Sequence, residues 1–158
     1  MELEHKFARL GADLTVAETT EDAVVIEGYA SLFGRTDKGS DVVEPGAYEA
    51  SLAKLCARGD KVRMLWQHDP AQPIGVWDEV REDATGLWVR GRILTTISKG
   101  REAAALLAAK AIDGLSIGYR TIRARKDDTG LRRLSELEFW EVSLVTFPML
   151  PEARVAAK

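Results

Sequence analysis

Cysteine and histidine are nearly missing from this sequence: its 158 residues hold one Cys, Cys56, and two His, His5 and His68. One thiol excludes an internal disulfide and fits a reducing compartment. Scattered singly, these residues do not make a zinc set, so no metal is expected. Positive charge is not in excess either, with 22 Lys and Arg against 25 Asp and Glu and a formal charge of −3. Without a basic surplus nothing neutralises a run of phosphates, which argues against a nucleic-acid partner. The two signs are interspersed, which argues against a patch for anionic membranes. No apolar run approaches the roughly 18 residues of a membrane span. The opening "MELEHKFARLGADL" lacks the apolar stretch of a secretory signal. P-loop and dinucleotide fingerprints are absent, as are repeats and low-complexity blocks. With 46% hydrophobic and 30% charged residues, a cytoplasmic globular protein is expected, long enough for one domain with a real core.

Residues 1–22 are polar and weakly patterned, and are expected as an N-terminal tail or edge segment ahead of one domain over 23–158. "AVVIEGYASLFG" (23–34) reads as a strand closed by glycine, and 36–46 is rich in loop formers. In "PGAYEASLAKLCARG" Tyr48, Leu52, Leu55 and Cys56 share a helical face, and Gly59 is the expected stop. A strand is expected over 61–68, followed by a hairpin over 73–94 that turns near 83–86. The alanine-rich 98–114 predicts a helix capped by Ser98 and stopped at Gly114. Strands follow over 115–125 and 131–147, joined by the turn "KDDTG". About six or seven strands and two helices imply an α+β fold, a strongly bent antiparallel β-barrel or sheet with peripheral helices.

Gly114-Leu115-Ser116-Ile117-Gly118 spells G-x-S-x-G, the nucleophile elbow of α/β-hydrolases. The elbow needs a helix after the serine and a histidine later still. Both histidines precede Ser116, and "IGYRTIRAR" reads as strand, so that match is a coincidence of spelling. On a strand, the two flanking glycines leave the serine's face clear while Leu115, Ile117 and Tyr119 point to a core. Room for a substrate backbone and a tight crossing within a sheet explain those glycines equally well. His68 is reached by elimination: if imidazole does acid–base chemistry, only His5 and His68 supply it, and His5 falls in the tail. A lone histidine closing an apolar strand is otherwise a packed core residue. Glu141 alternates with Phe139 and Ser143 on a strand apolar on both faces. A buried carboxylate needs a partner, either an arginine such as Arg120 or Arg123 or an imidazole that it orients. Ser143, on the same face, is a second nucleophile candidate. Cys56 reads as core.

In order, "GYASLFG", "DVVEPGAY", "LWQHDPAQPIGVW", "GLWVRGRI", "GLSIGYR" and "WEVSLVTFP" closely resemble the prohead proteases of tailed bacteriophages, related in fold to the herpesvirus maturation protease assemblin. The resemblance runs over about residues 28–155. It implies an assemblin-like barrel and a serine endopeptidase, needing no cofactor, that cleaves scaffold protein or the scaffold-like segment of the major capsid protein, and itself, inside the immature prohead in the bacterial cytoplasm. The family's histidine falls on His68, its serine on Ser116 and its acid on Glu141, with Trp140 in place of the more usual leucine. Arg120 or Arg123 is implied as an assisting residue. Partners would be scaffold and major capsid protein, with homodimerisation left open. The rival reading is a catalytically silent assembly factor of the same fold that binds scaffold or capsid protein.

Overall fold

In a computed structural model, which describes residues 4–9, 14–36, 39–112 and 114–146, nine strands form one sheet. They are β1 (Glu4–Arg9), β2 (Leu14–Thr19), β3 (Ala23–Leu32), β4 (Asp41–Val43), β5 (Arg63–Trp66), β6 (Asp69–Glu82), β7 (Gly86–Leu94), β8 (Gly114–Lys126) and β9 (Arg132–Val145). Two helices accompany them, α1 (Glu49–Ala57) and α2 (Ser98–Ala108). Strand order is β1-β8-β9-β5-β6-β7-β3-β2, with β4 also beside β9. The sheet curls until β1, at one end, comes into contact with β3 near the other. The expected strongly bent sheet with two peripheral helices is therefore present.

β9 organises the sheet. β8 pairs with it antiparallel from Lys126↔Arg132 to Gly114↔Val145. Its other edge takes β4 at Asp41↔Arg132 and β5 at Arg63↔Glu141, both parallel. Between them the edge has no strand partner among the described residues, and its backbone groups must be satisfied otherwise. Leu137 N donates to Ala47 O (2.9 Å), and Phe139 N donates to Ser51 Oγ (3.1 Å) at the start of α1. Helix α1 thus docks on β9 through a buried serine, with Leu55 one turn on also buried.

The core fills the concave face with Ile26, Tyr48, Met64, Ile74, Leu115, Ile117 and Leu134, all almost wholly buried. Tyr48 donates its hydroxyl hydrogen bond to Ser31 Oγ at 2.7 Å, and burial pushes the phenol far above its usual pKa. Trp77, also buried, donates its indole N–H to Val142 O at 3.0 Å. Gly91, its cross-strand partner, makes this possible, because a Cβ there would stand 2.6 Å from Trp77 Cε3.

Several expectations are corrected. The sheet is mixed, not antiparallel throughout, since β4 and β5 run parallel to β9. Three strands were not named in advance, β1, β2 and β4; β1 and β2 lie within the segment expected as a tail or an edge, and they take the two ends of the sheet. β5 ends at Trp66 and β6 begins at Asp69, so His68 belongs to the turn between them rather than to a strand. Cys56 is exposed, because the buried face of α1 is centred on Ser51 and Leu55. Ser98 is not a cap: α2 starts from Ile97 without a side-chain cap, and the Ser98 hydroxyl accepts from Arg101 instead (3.4 Å). The helix stops at Ala108, short of Gly114, as Lys110 turns left-handed at φ +59°.

Candidate active site

The site begins with an unusual hairpin. Trp66 pairs with Asp69, leaving Gln67 and His68 as a two-residue turn with φ of +52° and +60°. Two left-handed central residues match the twist of a β-hairpin, and Asn-Gly is the usual solution. Two side chains with Cβ atoms cost about 1–2 kcal/mol each in that conformation. Three anchors to β9 and the residue beyond it hold them there. Gln67 N donates to Leu144 O (3.0 Å), extending the β5–β9 ladder one residue further. The Gln67 carboxamide brackets Thr146, accepting from its backbone N–H at 3.2 Å and donating to its hydroxyl. His68 N donates to Ser143 Oγ at 3.2 Å. The turn folds the imidazole back over β8 and β9.

There it meets two residues from those strands. Nδ1 hydrogen-bonds Glu141 Oε1, and Nε2 lies 2.5 Å from Ser116 Oγ. With Nδ1–H donated to the carboxylate, Nε2 is an acceptor for the serine proton. Register brings the pieces together: Ser116 is opposite Ser143, and Gly118 opposite Glu141. Ser116 and Glu141 are buried, while the imidazole keeps 15% of its surface exposed and forms the solvent side of the cluster. Charge is contained within the same few ångströms, as the carboxylate has both the imidazole and the Ser143 hydroxyl, 3.2 Å away, as donors.

All three expected site residues therefore converge. The open question about the paired glycines has a different answer at Gly118: a Cβ there would lie 2.4 Å from Glu141 Cγ and 2.8 Å from Oε1. The glycine makes room for the carboxylate. Ser143, the second nucleophile candidate, touches Glu141 and the His68 backbone, while Nε2 is taken by Ser116. Arg120 bonds Glu138 at 2.7 Å, so the partner of Glu141 is the imidazole and not this arginine. Arg123 is exposed. His5, expected in a tail, lies on β1 opposite Gly118. Gln67 and Thr146 had no signal in the sequence, since neither is a usual turn or site residue.

A serine hydroxyl on one imidazole nitrogen with a carboxylate on the other is the geometry by which serine hydrolases activate a nucleophile. The chain belongs to the caudovirus prohead serine protease family, whose model matches residues 12–158. It is 34% identical over 139 residues to the prohead protease of Enterobacteria phage HK97, covering 84% of this chain and 59% of that protein. It is 29% identical over 160 residues to the capsid polyprotein of Pseudomonas phage PAJU2, covering 96% of this chain and 22% of that one. It thus spans about three fifths and one fifth of these relatives' lengths. In fold it is similar to the bacteriophage T4 capsid assembly protease, with a TM-score of 0.68, 15% identity, and coverage of 94% of this chain and 100% of that one.

Proposed function

We propose that this chain is a serine endopeptidase of the immature prohead, acting in the cytoplasm of the bacterial host. Its substrates are scaffold protein, or the scaffold-like segment of the major capsid protein, and the protease itself. The observation that carries the reading is the contact of His68 with Ser116 through Nε2 and with Glu141 through Nδ1. The names of the HK97 and PAJU2 relatives support the substrate class.

In this reading Ser116 Oγ attacks the scissile carbonyl as its proton passes to His68 Nε2. The imidazolium is stabilised by Glu141, which also keeps the remaining proton on Nδ1. His68 then delivers the Ser116 proton to the leaving amine, and the acyl-enzyme forms. Water enters and attacks the acyl carbon as its proton passes to Nε2; the bond to Oγ then breaks, Nε2 returns that proton to Oγ, and the new carboxylate leaves.

The test pairs wild type with Ser116→Ala, each co-expressed with the capsid and scaffold proteins encoded beside it, with products sized by intact-mass spectrometry. Trimming by wild type alone is expected. Equal trimming by both would move the nucleophile elsewhere. Absence of trimming by either, with shells assembling only when the protein is present, would make it an assembly factor.

A further inference from the structure

Ser143 is fully buried, directly across from Ser116, and is not needed by the steps above. Its hydroxyl is nevertheless committed in both directions. The oxygen accepts the backbone N–H of His68 at 3.2 Å, and the proton is donated to Glu141 Oε1 at 3.2 Å. That is the same carboxylate oxygen that receives His68 Nδ1. One hydroxyl therefore ties the backbone of the left-handed turn that carries the imidazole to the carboxylate that orients its ring. A serine core residue with no such task needs one satisfied partner. This one has two, the backbone N–H of the catalytic histidine and the carboxylate that orients its ring.

We infer that Ser143 is a positioning residue for the His68–Glu141 pair, an inference that rests on the proposed protease function. Without its hydroxyl, Glu141 loses a donor that fixes Oε1, and the His68 amide loses its acceptor in a turn already held against its intrinsic preference. Imidazole placement then loosens relative to Ser116. Misplacement of a catalytic group by a fraction of an ångström to 1 Å lowers turnover while leaving substrate contacts intact.

Cleavage kinetics on a scaffold-derived peptide, with Ser143→Ala, Ser143→Cys, Ser116→Ala and Glu141→Ala, test this. Ser143→Ala is expected to lower kcat about 10- to 100-fold with KM within about twofold. Ser143→Cys keeps the shape and supplies a weaker donor, so it also slows turnover; it decides the matter if the alanine variant does not fold. In a Glu141→Ala background, Ser143→Ala should cost less than about threefold, because its main target is gone. The low-field Nδ1–H proton resonance should shift or broaden in Ser143→Ala, which loss of packing elsewhere would not cause. Folded Ser143→Cys at wild-type kcat, or losses that multiply fully with Glu141→Ala, would overturn the inference. Unchanged cleavage by Ser116→Ala would instead overturn the proposed role of Ser116 as nucleophile, and if Ser143→Ala alone abolished cleavage, Ser143 would be the nucleophile.

Discussion

Gly118 and Glu141 face each other across β8 and β9, and the carboxylate of one fills the space where a side chain of the other would begin. The pairing explains why a residue without a Cβ stands two positions after the serine. It also makes a prediction with a sign. In Gly118→Ala the new methyl would lie 2.4 Å from Glu141 Cγ and 2.8 Å from Oε1, so the carboxylate must shift from the place where it meets His68. Overpacking of this kind costs about 1–3 kcal/mol, and cleavage should fall about 100-fold from displacement of the orienting group. Thermal melts and a cleavage assay on the same preparation check both. A variant that cuts at the wild-type rate would mean the carboxylate is not required where it stands.

The candidate site was legible through the motif resemblance; chemistry alone marked a histidine with almost no competitors, a carboxylate in an apolar strand and a serine between glycines, and left each with two readings. The long hairpins were legible too, since alternation and turn formers such as Asp83 with Gly86 and Asp127 with Gly130 are local signals. What escaped depended on distant partners. β4 is three residues long, and its buried Asp41 is tolerable because Arg132, far along the chain, bonds it at 2.8 and 2.9 Å. β1 and β2 are edge strands with little apolar pattern, so their pairing is visible only through β8 and β3. The parallel placement of β5 against β9 has no sequence period of its own. Gln67-His68 spells no turn, and tertiary contacts to Leu144, Thr146 and Ser143 override local preference.

Asp127 supplies a pH-dependent prediction away from the site. Its carboxylate accepts the Thr129 hydroxyl at 2.6 Å, Arg133 Nε at 2.8 Å and the Thr129 and Leu131 amides at 2.9 and 3.1 Å. Those bonds, the Thr129 hydroxyl foremost, hold its pKa well below the usual aspartate value. A depressed carboxylate contributes stability above its unfolded pKa of about 4, and that contribution drains away as pH falls through the folded value. Asp127→Asn should therefore melt below wild type at pH 7 and at pH 5, with the gap narrowing at pH 3. Melting curves at the three pH values decide it. A gap that stays constant would show that charge at 127 is not what secures the β8–β9 turn.

Gln67 separates backbone strain from side-chain anchoring. Its φ of +52° disfavours any residue with a Cβ, whereas its carboxamide holds Thr146 at the end of β9. Gln67→Ala keeps the strain and loses the anchor, and Gln67→Gly loses both. Left-handed backbone costs about 1–2 kcal/mol with a Cβ, and glycine gives back about 0.5–1 kcal/mol of that through extra freedom in the unfolded chain. The glycine variant should accordingly be the more stable of the two by about 0.5–1 kcal/mol. Both should cleave more slowly, by about tenfold, because the imidazole on the next residue is less firmly placed. Chemical denaturation ranks the stabilities, and single-turnover cleavage ranks the rates. If alanine proved the more stable, the turn at 67 would not be left-handed in solution; if both cleaved at the wild-type rate, the bracket on Thr146 would serve the fold and not His68.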